Sequence, residues 1–354
     1  MAFHVMYYLV FGGAKNEKSK ILGNRVHDPL YFRSANMIVF TDNKKSAENV
    51  FTIHREWIPE DYSTIDQNLE QLIHRLYGGK PVYRSESRIL GRWQYAFFVK
   101  SAPSSHFDLL VESSQGDSVL PDGILCFAGS GHHFHGQRGR PWTAKEGNIH
   151  LSLYFSPEKS ISHYHTGLPV LSAVSIVQTI DTIENLKGCA KIKWVNDVLI
   201  QGTKVAGFLV HTHSVQDRVS GIILGIGLNV EKTPRLTPDI FVPKVGSLRK
   251  FLPTPSAVTR KKILNHLLEF LDKNYVLLLD GQYKKLLDFY RKRSLVIGQE
   301  VQLFSCIPNK KQISISSGTV EQIGDNLELW MEGQKKPVTE GRLVLIHKKR
   351  ADST

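Results

Sequence analysis

The chain has 354 residues, 41% hydrophobic and 22% charged, the balance of a soluble globular protein and too long for one ordinary core. No apolar run approaches the roughly eighteen residues needed to span a bilayer. Three widely spaced cysteines, Cys126, Cys189 and Cys306, exclude a disulfide scaffold and point to buried thiols in a reducing, cytoplasmic compartment. The net charge of +12 is concentrated at one end: residues 241–354 carry 20 Lys+Arg against 11 Asp+Glu, whereas residues 86–240 carry 14 against 13. A basic surface of this kind serves solubility, an acidic protein partner, an anionic substrate or nucleic acid. The aromatic-basic interleaving of a nucleic-acid platform is weak, so no DNA binding is expected.

Residues 1–85 are the least legible. MYYLVF (Met6–Phe11) and MIVF (Met37–Phe40) have the look of short strands, and Ile65, Leu69, Leu72, Ile73 and Leu76 fall at helical spacing before a Gly stop. Two strands and a helix predict a small α/β appendage. There is no pair of short helices around a tight turn, as a helix-turn-helix requires. The patchy N-terminus has no basic stretch before its apolar run and no clear cleavage site, so no signal peptide is expected. KPVY (Lys80–Tyr83) with RSESR reads as a linker.

Residues 86–294 read as a mixed α/β domain. WQYAFFV, GILCFAG and NIHLSLYFS are strands, and SSHFDLLVE opens on an N-cap candidate before a helix. Residues 163–186 carry apolar positions down one face, predicting an amphipathic helix against a sheet. Residues 258–294 are helical, with Pro253 and Pro255 as a start signal. From Leu295 the pattern changes to short alternating strands broken by Gly318, Gly324 and Gly333, the mark of a small all-β domain of SH3 size over 295–354.

Three stretches carry chemistry. The first, Gly129–Trp142, is rich in glycine, histidine and arginine. Its glycines let backbone approach a ligand closely, its amides can cradle phosphate, and Arg138 and Arg140 supply anion contacts. His132, His133 and His135 lack a carboxylate or cysteine at ligand spacing, so no metal site is assigned. The second is Lys191–Asn229. Lys193, Trp194, Asn196 and Asp197 end a short strand, Lys204 and Gly207 enter the next, and an apolar run closes with Gly-x-Gly-x-Asn at Asn229. The third is Ser104-Ser105-His106 at a helix start, either an N-cap or a polar cradle for a neutral ring.

A strand ending Lys-Trp-x-Asn-Asp, then Lys-x-x-Gly, then Gly-x-Gly-x-Asn resembles the central sheet of biotin protein ligases, with Val195 in place of the usual proline. The loop Phe134-His135-Gly136-Gln137-Arg138-Gly139-Arg140-Pro141-Trp142 is similar to the family's Gly-x-Gly-Arg-x-Gly-x-x-Trp loop over biotin and the adenylate. Gly136, Gly139 and Trp142 fit. Phe134 replaces a glycine and Gln137 an arginine, while Gly131, or His132, stands at a family glutamine.

The resemblance covers residues 90–350. It implies an α+β, class II synthetase-like mixed sheet with packed helices over 86–294, a C-terminal SH3-like β-barrel over 295–354 and the α/β appendage over 1–85. It implies an ATP-dependent ligase that activates biotin to biotinoyl-5′-AMP, with Mg²⁺, and transfers it to a lysine on the biotin carrier domain of a carboxylase. Lys204 matches the lysine that bridges carboxylate and phosphate oxygens, Lys193 is a second candidate, and Asp197 orients Lys204 or a Mg²⁺ ion. The resemblance places Ser104, Ser105, His106, Gly131, His135, Gly136, Gln137, Arg138, Arg140, Trp142, Asn196, Gly207 and Asn229 around biotin and the nucleotide. A non-catalytic binding homologue and a lipoate-type ligase are the alternatives. Dimerisation is left open.

Overall fold

The computed structural model describes residues 34–61, 65–115, 120–157, 160–215, 218–254, 258–305 and 313–346. The strand expected at Met6–Phe11 and Cys306 fall outside them.

The first elements are β1 (Ser34–Thr41), α1 (Lys44–Glu48), β2 (Ile58–Pro59), α2 (Gln67–Tyr77), β3 (Tyr83–Leu90) and β4 (Tyr95–Ala102). They are followed by α3 (His106–Ser114), β5 (Ile124–Gly131), β6 (Ile149–Phe155), α4 (Tyr164–Asp181), β7 (Ala190–Lys193), β8 (Asp197–Ile200), β9 (Thr203–Val215) and β10 (Arg218–Leu228). Then come α5 (Arg260–Leu279), α6 (Tyr283–Lys292), β11 (Glu300–Phe304), β12 (Ser314–Ile323), β13 (Leu329–Met331) and β14 (Arg342–Leu345). Among the described residues, β1–β10 form a ten-stranded mixed sheet in the order β2-β3-β1-β4-β5-β6-β10-β9-β8-β7, and β11–β14 form a separate four-stranded sheet. β4 runs parallel to β1 and β5, and the remaining pairs are antiparallel. The expected mixed α+β architecture with a small C-terminal β module is what the chain adopts.

Helices cover both faces of the large sheet. On one, α2 and α3 bury Leu69, Leu72, Ile73, Leu76 and Leu110 against Phe97, Val99 and Ile124. On the other, α4, α5 and α6 pack Leu171, Val174, Leu267, Leu271 and Tyr290 against Phe127, Leu153 and Leu224. α2 starts on Asp66, whose side chain accepts from the Asn68 N–H, and stops at Gly78 in the left-handed region.

Two expectations about the fold change. The segment Lys80–Tyr83 with RSESR is no linker. It enters β3, whose residues pair with β1 over eight positions near one edge of the sheet; burial alternates there, but two of the buried positions are Ser85 and Ser87, so no apolar alternation marks the strand. The helix expected to be amphipathic is α4, and it is buried almost all round, because α5 and α6 cover the side that would have met water. Its inward hydroxyls do not need external partners: Ser172, Ser175 and Thr179 donate to carbonyls four residues back.

The C-terminal module docks on the end of β7. Trp194 Nε1 donates to the Leu327 carbonyl at 2.7 Å, Tyr283 Oη to the Asp325 carbonyl at 2.7 Å and Tyr290 Oη to the Val195 carbonyl at 3.0 Å. The Trp194 and Tyr290 bonds hold the Lys193–Asp197 turn, in which the Trp194–Val195 peptide is cis, and the Tyr283 bond ties α6 to the module. Cys126 is buried as expected, but Cys189 is exposed.

Candidate active site

A cleft of about 310 Å³ opens over β6, β9 and β10 on the face that carries α3. The size suits a small ligand. Its floor is flat because glycines stand where side chains would project. A Cβ on Gly227 would lie 2.2 Å from the Trp142 ring, and one on Gly225 2.9 Å from Phe107. The Gly-x-Gly-x-Asn run therefore clears space for two aromatic walls.

Lys204 is held at the centre of the cleft. Its Nζ is 2.6 Å from Asp197 Oδ1 and 5.9 Å from the centre of the Trp142 ring, and both ion-pair partners are largely shielded from water. Gly207 lies directly alongside, with room for a Cβ only 3.3 Å from Nζ. Asn196 Nδ2 donates to the Phe208 carbonyl at 3.0 Å, which fixes the turn between β7 and β8. Trp142 Nε1 donates to His150 Nδ1 at 3.2 Å, while His150 Nε2 meets the Lys145 carbonyl at 2.9 Å. These partners require the neutral tautomer with the proton on Nε2. Burial agrees, pushing His150 down to about 4.

The glycine loop closes one side. Arg138 adopts a left-handed conformation at φ 62° and Gly139 follows at φ 70°. The Gly136 N–H donates to the Arg140 carbonyl at 2.7 Å, and Arg140 Nε donates to the Gln137 carbonyl at 3.0 Å. His135 anchors the loop to α3, with Nε2 2.9 Å from both Asp108 carboxylate oxygens and Nδ1 3.0 Å from the Gly136 carbonyl. Burial opposes charging this ring, but the Gly136 and Asp108 contacts outweigh it and raise its pKa.

Of the residues singled out in the sequence, Ser105, His135, Gly136, Gln137, Arg140, Trp142, Asn196, Lys204, Gly207 and Asn229 line the cleft. Asp197 stands behind Lys204. Ser105 is the N-cap of α3, accepting from the Asp108 N–H, and also faces the cleft. His106 lies behind Phe134, fully buried, with neither ring nitrogen hydrogen-bonded and its pKa depressed to about 3 by burial and by His150. Gly131 makes room for the Phe134 ring, 2.3 Å from where its Cβ would be. Lys193 and Arg138 lie in an adjoining cleft, which also takes in Arg140 and Arg342. There Lys193 Nζ donates to the Phe241 carbonyl at 2.5 Å, and burial lowers its pKa, partly offset by Asp197. Ser104, His132 and His133 do not line the main cleft.

Sequence reasoning missed two features. Asn148 is buried and joins two parts of the site. Its Oδ1 accepts from the N–H groups of Val230, Glu231 and Lys232, and its Nδ2 donates to Asn229 Oδ1 at 3.3 Å. An asparagine at the mouth of an apolar strand was the available signal. The second is the segment 234–245, which covers one end of the cleft with Leu236, Thr237, Asp239, Val242 and Val245. It has no periodicity to read.

Sheet order, glycine loop and paired lysine strand define the biotin/lipoate ligase fold class. The Biotin/lipoate A/B protein ligase family profile matches residues 116–229. Over 156 residues the chain is 32% identical to the bifunctional ligase/repressor BirA of Bacillus subtilis, covering 44% of this chain and 46% of that protein. It is 28% identical over 219 residues to the biotin–[acetyl-CoA-carboxylase] ligase of Mycobacterium tuberculosis, covering 60% and 75%. The biotin protein ligase of Aquifex aeolicus, solved with biotin and ATP, shares the fold at a TM-score of 0.56 and 20% identity, over 72% of this chain and 99% of that one. Residues 116–229 thus match the Biotin/lipoate A/B protein ligase family, and the chain is similar to biotin protein ligases over part of its length. It spans about half the length of the Bacillus relative.

Proposed function

We propose that the chain is an ATP-dependent biotin–protein ligase acting on a carrier domain of a biotin-dependent carboxylase. The observation that carries this is Lys204, a cation held by Asp197 at 2.6 Å in a glycine-floored cleft. Phe107, Phe134 and Leu209, next to the α3 N-terminus, suit the bicyclic ring of biotin. Asn229 and the 234–245 segment suit the nucleotide. The biotin carboxylate would then meet the α-phosphate of ATP at Lys204.

Attack of the carboxylate on the α-phosphate forms biotinoyl-5′-AMP and expels pyrophosphate. Two anions must approach each other, so a fixed cation between them lowers the barrier. Asp197 keeps Lys204 from swinging away, and Gly207 admits the reacting atoms beside Nζ. In the second step the ε-amine of the acceptor lysine attacks the anhydride carbonyl and AMP leaves. Among the described residues no group of three or more His, Cys, Asp or Glu converges as a protein-held metal would require. Mg²⁺ fits as part of the MgATP substrate.

In this reading residues 86–294 carry the chemistry and 295–354 brace the Lys193–Asp197 turn. Residues 1–85 are an appendage whose described strands extend the catalytic sheet. Expected in cytoplasm, the protein has no helix, among the described residues, that is long and apolar enough to cross a membrane. The test is incubation with ATP, carrier domain and either biotin or lipoate, followed by intact mass. A mass gain of one biotinoyl group, with none from lipoate, supports the proposal. Gain from lipoate alone overturns it.

A further inference from the structure

The 234–245 segment has no helix or strand beyond an isolated bridge from Val245 to Lys204, yet Phe241 within it is buried. Asp239 folds it locally, with Oδ1 accepting from the Phe241 and Val242 N–H groups at 2.9 and 2.6 Å. The remaining restraints come from elsewhere in the molecule. Arg342, the first residue of β14, sends an NH2 to Asp239 Oδ2 at 3.3 Å and lays its guanidinium 3.4 Å above the Phe241 ring. Phe304 of β11 meets the same ring edge-on at 5.5 Å. From the catalytic sheet, Lys193 Nζ donates to the Phe241 carbonyl at 2.5 Å. One residue thus collects contacts from both sheets, while its neighbours Asp239 and Val242 face the ligand cleft.

We infer that Arg342 is a positioning residue for the nucleotide end of the cleft: from the C-terminal β module it clasps Asp239 and Phe241 and so sets the 234–245 wall against the bound ATP. The inference rests on the proposed ligase reading. It gives the C-terminal module a defined task, shaping a wall of a site 100 residues away in sequence, and it explains why an arginine is needed. A planar cation satisfies a carboxylate and an aromatic face at once, which a lysine does less well. Arg342 itself does not line the main cleft, so its effect is carried through the wall.

The test compares Arg342→Ala and Arg342→Lys with the full-length wild type in two measurements. The first is biotin-dependent ATP–pyrophosphate exchange with ATP and biotin titrated separately. Arg342→Ala is expected to raise KM for ATP roughly tenfold, the scale of a lost part-buried ion pair and cation–π contact. KM for biotin stays unchanged and Arg342→Lys falls between. The second is amide hydrogen exchange, in which the Phe241 and Val242 amides speed up in Arg342→Ala while those of β10 do not. An unchanged ATP KM in a folded Arg342→Ala protein, or equal shifts for biotin and ATP, overturns the inference. So do unchanged Phe241 and Val242 amides. If wild type itself shows no exchange, the ligase reading fails and the amide measurement still decides whether the clasp exists.

Discussion

Lys204 and Asp197 form an ion pair at 2.6 Å across the β8–β9 pairing, on a site wall completed by Trp142. The pair is shielded enough that neither charge is well solvated alone. Removing the carboxylate in Asp197→Asn leaves the ammonium held only by the neutral amide. Loss of a hydrogen bond to a charged group costs about 1.5–3 kcal/mol, so exchange kcat is expected to fall by roughly 10–100-fold while biotin affinity holds. Steady-state kinetics beside a biotin titration check this. Loss of biotin binding in parallel with kcat would show that Asp197 serves the fold and not the chemistry.

Gly227 is a steric requirement. A methyl there would enter the Trp142 ring, so Gly227→Ala must displace the tryptophan into the cleft or strain β10. Overpacking of this kind costs about 1–3 kcal/mol. Biotin affinity is expected to drop and the melting temperature to fall, measured by calorimetry and thermal melts. Gly202→Ala, in an open turn with nothing nearby but φ at 71°, is expected to lower stability without touching ligand affinity.

Stability responds to pH through two sets of histidines with opposite sign. His135 has a raised pKa in the folded state, so the contribution of its Asp108 and Gly136 contacts is complete below the ordinary 6.5 and lost as pH rises through the raised value. His106 and His150 are held at about 3 and about 4, below 6.5, so the folded state resists their protonation. Stability from them is complete above 6.5 and lost as pH falls toward those values. Melting temperature against pH is expected to peak near neutrality. In Asp108→Asn the alkaline decline should flatten while the acid decline remains; an unchanged alkaline limb contradicts the assignment to His135.

Gln137 lines the main cleft and also the adjoining one that holds Lys193 and Arg138. Placing arginine there adds a charge-assisted contact to the adenylate, about 1.5–3 kcal/mol. Gln137→Arg is expected to slow escape of biotinoyl-AMP by about tenfold or more, followed by filter retention of the labelled intermediate. Equal release rates would mean that Arg140, whose backbone and Nε already brace the loop, fills the place.

The sheet was legible because its inner strands are apolar on both faces and bounded by turns: GILCFAG, NIHLSLYFS and the apolar run ending at Asn229 fall on Ile124–Gly131, Ile149–Phe155 and Arg218–Leu228. Lys204 and the loop were singled out by their resemblance to the family's motifs, and both line the cleft. β3 was not, since Arg84, Ser85, Glu86 and Ser87 are polar and pair near an edge of the sheet. The burial of α4 was also hidden, because only the later helices α5 and α6 decide whether its outer face meets water. The 234–245 wall was invisible for a deeper reason. Its conformation is held by Asp239 locally, by the Lys204 backbone, and by the side chains of Arg342, Phe304 and Lys193 from remote positions, and no local period encodes that.

In the proposed reaction Lys204 sits where carboxylate and phosphate meet. Biotin-dependent ATP–pyrophosphate exchange, measured on wild type and Lys204→Ala, tests it most directly. Exchange in the wild type that collapses by more than roughly 100-fold in the variant, with biotin still bound, is the expected result. Absence of exchange in a wild type that binds biotin, or full exchange without Lys204, would contradict the account.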